Sequence, residues 1–131
     1  MLKMIVGGLA VLLLVASAAL WMLRSGMRPT EGSAAPDFEL PDQDGQPRRL
    51  GDYAGRWLVL YFYPRDDTPI CTREACRFRD SIGALDALGA AVIGISMDGT
   101  QSHADFARKH QLPFPLLSDP GGQTAAAYGS L

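Results

Sequence analysis

Two uninterrupted apolar runs, with one amphipathic stretch between them, constrain this chain more than any other feature. Residues 57–63 join aromatic, β-branched and aliphatic side chains without a break and stop at Pro64; residues 90–97 do the same and stop at Asp98-Gly99. Such runs, bounded by turn residues, read as strands buried on two faces. Between them Cys71, Ala75, Phe78, Ile82 and Leu85 fall at steps of four, three, four and three, which is one stripe of a helix. Strand, helix and strand in that order form a βαβ unit, and such units build parallel sheets of the α/β class. A second helix is expected from Ser102, with Asp105 favouring its first turn, Arg108, Lys109 and His110 its last, and Pro113 beyond its end. Residues 114–117 are expected as a short strand and residues 124–128 as a turn or two of helix closed by Gly129. Residues 37–40 and a turn through Asp44-Gly45 suggest a small hairpin ahead of the sheet.

Residues 4–23 are a separate object, without charge or proline and with 17 of 20 side chains apolar. A helix of that length rises about 30 Å, the thickness of a bilayer's hydrocarbon core. The expected organisation is therefore a membrane anchor or signal segment at 1–23, a polar tether at 24–33 and one domain at 34–131. A cleaved signal peptide is the rival, supported by Lys3 and by the small residues Ala16-Ser17-Ala18. Leu20-Trp21-Met22-Leu23 carries the apolar run past that site and favours an uncleaved transmembrane helix. Lys3 is opposed by Arg24 and Arg28, so charge orients the segment weakly; the expected placement is a bacterial inner membrane with the domain facing the periplasm. Residues 24–131 hold all 14 acidic and 11 of the 12 basic residues. That net negative charge offers no field for nucleic acid.

The chemistry is sought at Cys71 and Cys76, the only two cysteines. Cysteine is among the most buried residue types, so two inert core thiols are the plain reading. Three features oppose it. Cys71 stands at the start of a helix, directly after a strand and a proline-containing loop, where backbone N–H groups and the helix dipole favour an anionic, nucleophilic sulfur. Thr68 lies three residues earlier and can turn its hydroxyl toward that sulfur, while Asp66 and Asp67, which would oppose the anion, are expected to face outward. The third is spacing: five residues apart on an ideal helix, the two Cα atoms are roughly 8 to 9 Å apart and point about 140° away from each other. A disulfide needs Cα atoms within about 7 Å, so the pair can bond only if the first helical turns unwind.

The run Phe62-Tyr63-Pro64-Arg65-Asp66-Asp67-Thr68-Pro69-Ile70-Cys71-Thr72-Arg73-Glu74-Ala75-Cys76, followed by Phe78-Arg79-Asp80, closely resembles peroxiredoxins of the bacterioferritin comigratory protein, or peroxiredoxin Q, type. Ala35-Pro36-Asp37-Phe38-Glu39-Leu40 and Leu117-Ser118-Asp119-Pro120 resemble that family's flanking segments. The resemblance implies a thioredoxin-like fold and a peroxidase that works by cysteine, without metal, haem or other cofactor. It implies Cys71 as peroxidatic cysteine, Cys76 as resolving cysteine, Thr68 as hydrogen-bonding partner of peroxide and sulfur, and Pro64 as a shield from water. Its implied partners are a peroxide substrate and a thioredoxin-like reductant, and the chain is expected as a monomer. Ile70 stands where many members of the family have glycine. The family pattern goes on past Leu131 through a strand bearing an arginine, a hairpin and a last helix, so the fold is expected to be incomplete at its C-terminus.

Three rival readings stay open on sequence. A membrane-anchored thiol-disulfide oxidoreductase would share much of this pattern, but such proteins space their cysteines as C-x-x-C. An inactive truncated remnant is the second. A zinc site from Cys71, Cys76, His103 and His110 is the third; the intervals are not those of zinc fingers, and two histidines on a solvated helix face are the plainer reading.

Overall fold

The computed structural model describes residues 15–17 and 28–130. The segment expected to span a membrane, residues 4–23, lies outside the described residues apart from 15–17. Among the described residues no helix is long and apolar enough to cross a membrane.

The first strands among the described residues form an antiparallel hairpin of β1 (Glu39–Pro41) and β2 (Pro47–Arg49), in register Glu39 with Arg49 and Pro41 with Pro47. Asp42, 1% exposed, organises its turn: Oδ1 accepts the Asp44 and Gln46 N–H groups, and Oδ2 accepts Arg48 Nε at 2.8 Å. A single 3-10 turn (Leu50–Tyr53) leads to β3 (Trp57–Phe62), α1 (Pro69–Ala87), β4 (Ala90–Ser96), α2 (Thr100–His110), β5 (Leu116–Ser118) and α3 (Gln123–Ala127). The expected βαβ unit is present, and its strands are parallel. The second sheet runs β3-β4-β5, with Trp57 opposite Ala90, Phe62 opposite Ile95 and Ser96 opposite Ser118.

Alternation along the strands sorts the core into two layers. Val59, Tyr61, Tyr63, Val92 and Leu116 face one side, where they meet Ala75, Phe78 and Ile82 of α1 and Phe106 of α2. Leu58, Leu60, Phe62, Ile93, Ile95 and Leu117 face the other, against Phe38 and Leu40 of the hairpin side and Tyr128 beyond α3. Central β4 is buried on both faces, as expected, but β3 is not: Trp57 is 78% exposed, and β3 is an outer strand that pairs, among the described residues, with β4 alone. Gly94 of β4 is glycine for a steric reason, since a Cβ there would stand 2.7 Å from the Tyr61 ring and hydroxyl and 2.9 Å from Leu116.

Two boundaries differ from expectation. α2 starts at Thr100 on a Gly99 cap, with the His103 N–H bonding the Gly99 carbonyl, rather than at Ser102. β5 is Leu116–Ser118, later than the apolar run suggests, because Phe114 leaves the strand to fill the helix-side core.

Candidate active site

Parallel strands deliver the residues that follow them to one edge of the sheet. Residues 64–68 after β3 and Asp98 after β4 meet there, beneath the start of α2. Asp66 is their common partner. Its Oδ1 accepts the Tyr63 hydroxyl at 2.6 Å, its Oδ2 accepts Ser102 Oγ at 2.7 Å and faces His103 Nδ1 at 2.7 Å, and its backbone N–H donates to Asp98 Oδ2 at 2.6 Å. Burial pushes the Asp66 carboxyl up, but hydrogen bonds from His103, Tyr63 and Ser102 outweigh that and hold it below the ordinary range. The Tyr63 phenol is pushed far up, by burial first and then by its bond to Asp66.

Asp67 adopts a left-handed backbone, φ 57°, and turns its carboxylate back to α2, where it accepts Lys109 Nζ at 2.6 Å and His110 Nε2 at 2.9 Å. Those two bonds hold its carboxyl below the ordinary range. Asp67 faces outward, as expected. Asp66 does not; it is buried, and so is His103, which is 0% exposed and sits in the interior rather than on a solvated helix face. The reason is topological: α2 packs against β5 and its first turn meets the loop after β3, where Ser102 and His103 both reach Asp66.

Thr68 caps α1 through its carbonyl, which accepts the Thr72 N–H at 2.8 Å, while its hydroxyl donates to the Arg65 carbonyl at 3.2 Å. No side chain caps the helix, and Pro69 occupies its first turn, where a missing N–H costs nothing. Cys71 follows in that first turn, 4% exposed and packed with Tyr61, Tyr63 and Ala75. Cys76 lies partly exposed in the second turn, and both thiols are free. Pro64 is exposed and lines a cavity of about 190 Å³ with Phe62, Tyr63, Met97 and Asp119; Cys71 is not in its wall. The structure thus gathers Thr68 and Cys71 at the helix start, sets Pro64 at the end of β3, and leaves Cys76 on the same helix. Among the described residues no three His, Cys, Asp or Glu side chains converge as metal ligands, and both histidines are engaged by aspartates.

Sequence reasoning missed Asp66, Tyr63, Asp98, Ser102 and His103 as a unit. A signal existed: each lies at or just past the C-terminal end of β3 or β4, or in the first turn of the helix that follows.

The family described as AhpC/TSA matches residues 32–131. A chloroplastic peroxiredoxin Q of Sedum lineare is 49% identical over 100 residues, 76% of this chain and 54% of the relative. A putative peroxiredoxin bcp of Coxiella burnetii is 47% identical over 98 residues, 75% of this chain and 65% of the relative. Among solved structures, peroxidoxin BcpB of Mycobacterium tuberculosis superposes with a TM-score of 0.72 at 45% identity, over 75% of this chain and 64% of that one. The bacterioferritin comigratory protein of Xanthomonas campestris superposes at 0.69 and 37% identity, over 70% and 59%. The fold is thus thioredoxin-like, of the peroxiredoxin kind, and the chain spans about half the length of the chloroplast relatives it matches. These relatives, chloroplastic by name in several cases and bacterial in another, overturn the expected placement at a bacterial inner membrane with a periplasmic domain.

Proposed function

We propose, for a chain that belongs to the AhpC/TSA family, a thiol-dependent peroxidase in which Cys71 is the peroxidatic and Cys76 the resolving cysteine. The Cys71 thiolate attacks one peroxide oxygen; the O–O bond breaks, the sulfur is oxidised to a sulfenic acid, and the other oxygen leaves as water or an alcohol after taking a proton. The Cys76 thiol then displaces the sulfenic hydroxyl as water, forming the intramolecular disulfide. A thioredoxin-like dithiol restores both thiols by exchange. Hydrogen peroxide and organic hydroperoxides are the substrates; the Xanthomonas campestris relative is described by its alkyl peroxide reduction activity.

The observation that carries this reading is the seat of Cys71, buried in the first turn of a helix that begins without a side-chain cap, with a second free thiol five residues on. Unpaired backbone N–H groups at such a start favour negative charge on sulfur. Thr68, with its proton engaged on the Arg65 carbonyl, keeps lone pairs that accept the O–H of a hydroperoxide. Pro64 has no N–H to hydrate and stiffens the entry to the loop that leads to Cys71.

The test is one equivalent of peroxide on the full chain, followed by mass analysis of the cysteines. Conversion of both thiols to one disulfide is expected, and Cys71→Ser should abolish it. Oxidation that begins on Cys76 in that variant would reverse the roles.

A further inference from the structure

His103 is the least exposed polar side chain in the domain, at 0%, and the chemistry above makes no use of it. Each of its ring nitrogens faces an acceptor: Nδ1 lies 2.7 Å from Asp66 Oδ2, and Nε2 lies 3.1 Å from the Leu117 carbonyl. An ionised carboxylate and a carbonyl have no proton to give, so both contacts are hydrogen bonds only when both nitrogens carry one. The groups around the ring agree with a cation there. Asp66 reaches it from the loop, the Tyr63 hydroxyl stands 3.4 Å away at the end of β3 with its own proton on Asp66, and the Asp98 carboxylate holds the Asp66 backbone. From β5 the Leu117 carbonyl faces Nε2.

We propose that His103 is a positioning residue: protonated on both ring nitrogens, it clamps Asp66 to β5 and so fixes the loop that carries Thr68 into Cys71. The clamp joins three elements, with Leu117 in β5, the ring on α2 and the carboxylate after β3. Thr68 is two residues beyond Asp66, so its height over the helix start follows from the clamp. The kinetic consequence rests on the peroxidase reading; the proton count does not.

The chain has two histidines, so ¹⁵N-histidine labelling of the full chain yields two ring systems, assigned with His110→Gln. Near pH 7 both nitrogens of His103 should show a directly bonded proton; a single protonated nitrogen overturns the proposal whatever the enzyme does. Kinetically, the rate of Cys71 oxidation by stoichiometric peroxide should fall in His103→Ala by up to about a hundredfold, the effect of roughly 1 Å of misplacement. His103→Asn keeps a donor where Nδ1 stood and should recover much of that rate, whereas His103→Gln, with its donor directed at Leu117, should not. Asp66→Asn should repeat the loss, and its combination with His103→Ala should add little. Thermal melts verify folding; if His103→Ala does not fold, the Asn and Gln pair decides. Equal rates for the folded Asn and Gln variants overturn the positioning role. A wild-type chain whose Cys71 is not oxidised at all refutes the peroxidase reading, and the proposal is then judged on the nitrogen spectrum.

Discussion

The residues just before the helix of the cysteines and the residues that begin it are attached to the molecule in opposite ways. Residues 64–68 are tied down: Asp66 takes bonds from three side chains and Asp67 from two, nearly all of them on α2. The first turns of α1 have no side-chain cap, begin at a proline and expose Ile70 at 77%. The difference bears on a geometric demand, that two cysteines five residues apart on a helix must come together by about 2 Å or more to bond. The loop is built to stay and the helix start to yield, so the disulfide proposed above would form by unwinding of α1 around a fixed point at Thr68.

The largest effect that sharpens this contrast belongs to Cys76→Ser. It should leave the first oxidation of Cys71 at its wild-type rate and block multiple turnover with a dithiol, as loss of a resolving thiol removes the recycling route. Equal loss in both steps would show that Cys76 acts on Cys71 before any unwinding. Next is Thr68→Val, which keeps the shape of the fixed point and removes its hydroxyl. One hydrogen bond to a charged or reacting group is worth about 1.5 to 3 kcal/mol, so the oxidation step should slow by about 10 to 100-fold, as stopped-flow mixing would measure.

Ile70→Gly addresses the mobile side. Glycine weakens a helix by about 0.5 to 1 kcal/mol, so the disulfide should close about two to five times faster after Cys71 is oxidised. An unchanged closure rate would mean that the helix start does not limit the step. The smallest effect concerns the loop at low pH. Asp66 and Asp67 both have folded-state carboxyls held below their ordinary 3.8, so the stability they contribute is complete above that value and drains as pH falls through the folded values. The melting temperature should stay level from neutral pH to about 5 and decline below about 4. The decline should be shallower in Asp67→Asn, which itself should melt no more than a few degrees lower at neutral pH.

The parts of this molecule legible in sequence are those written in nearest neighbours. The runs that became β3 and β4, and the stripe of Cys71, Ala75, Phe78, Ile82 and Leu85 that became the buried side of α1, follow from periodicity alone. The spacing that separates Cys71 from Cys76 was equally legible. Asp66 and His103 were not, because 36 residues of chain intervene and only the parallel crossover brings them together. His103 does share the inner stripe of α2 with Phe106, Ala107 and His110, but periodicity cannot say whether a histidine on that stripe meets apolar side chains or a carboxylate. The end of β5 was misplaced for a similar reason. Its last pairing is Ser118 with Ser96, fixed by the neighbouring strand rather than by the hydropathy of its own residues.

The missing side chain at position 94 works as a spacer setting. Tyr61 lies over Gly94 and stacks on Phe78 with ring centroids 4.6 Å apart, so the thickness of one aromatic ring fixes how far the helix of the cysteines stands from the sheet. The Tyr61 hydroxyl is buried and has no hydrogen-bond partner among the described residues, so the ring is held there by its fit rather than by its polar end. A methyl group at position 94 would push that ring outward and lift the middle of α1, tilting the axis on which Cys71 and Cys76 are both mounted. A strand position carrying no reactive atom thereby sets the working clearance of two cysteines on the layer above it.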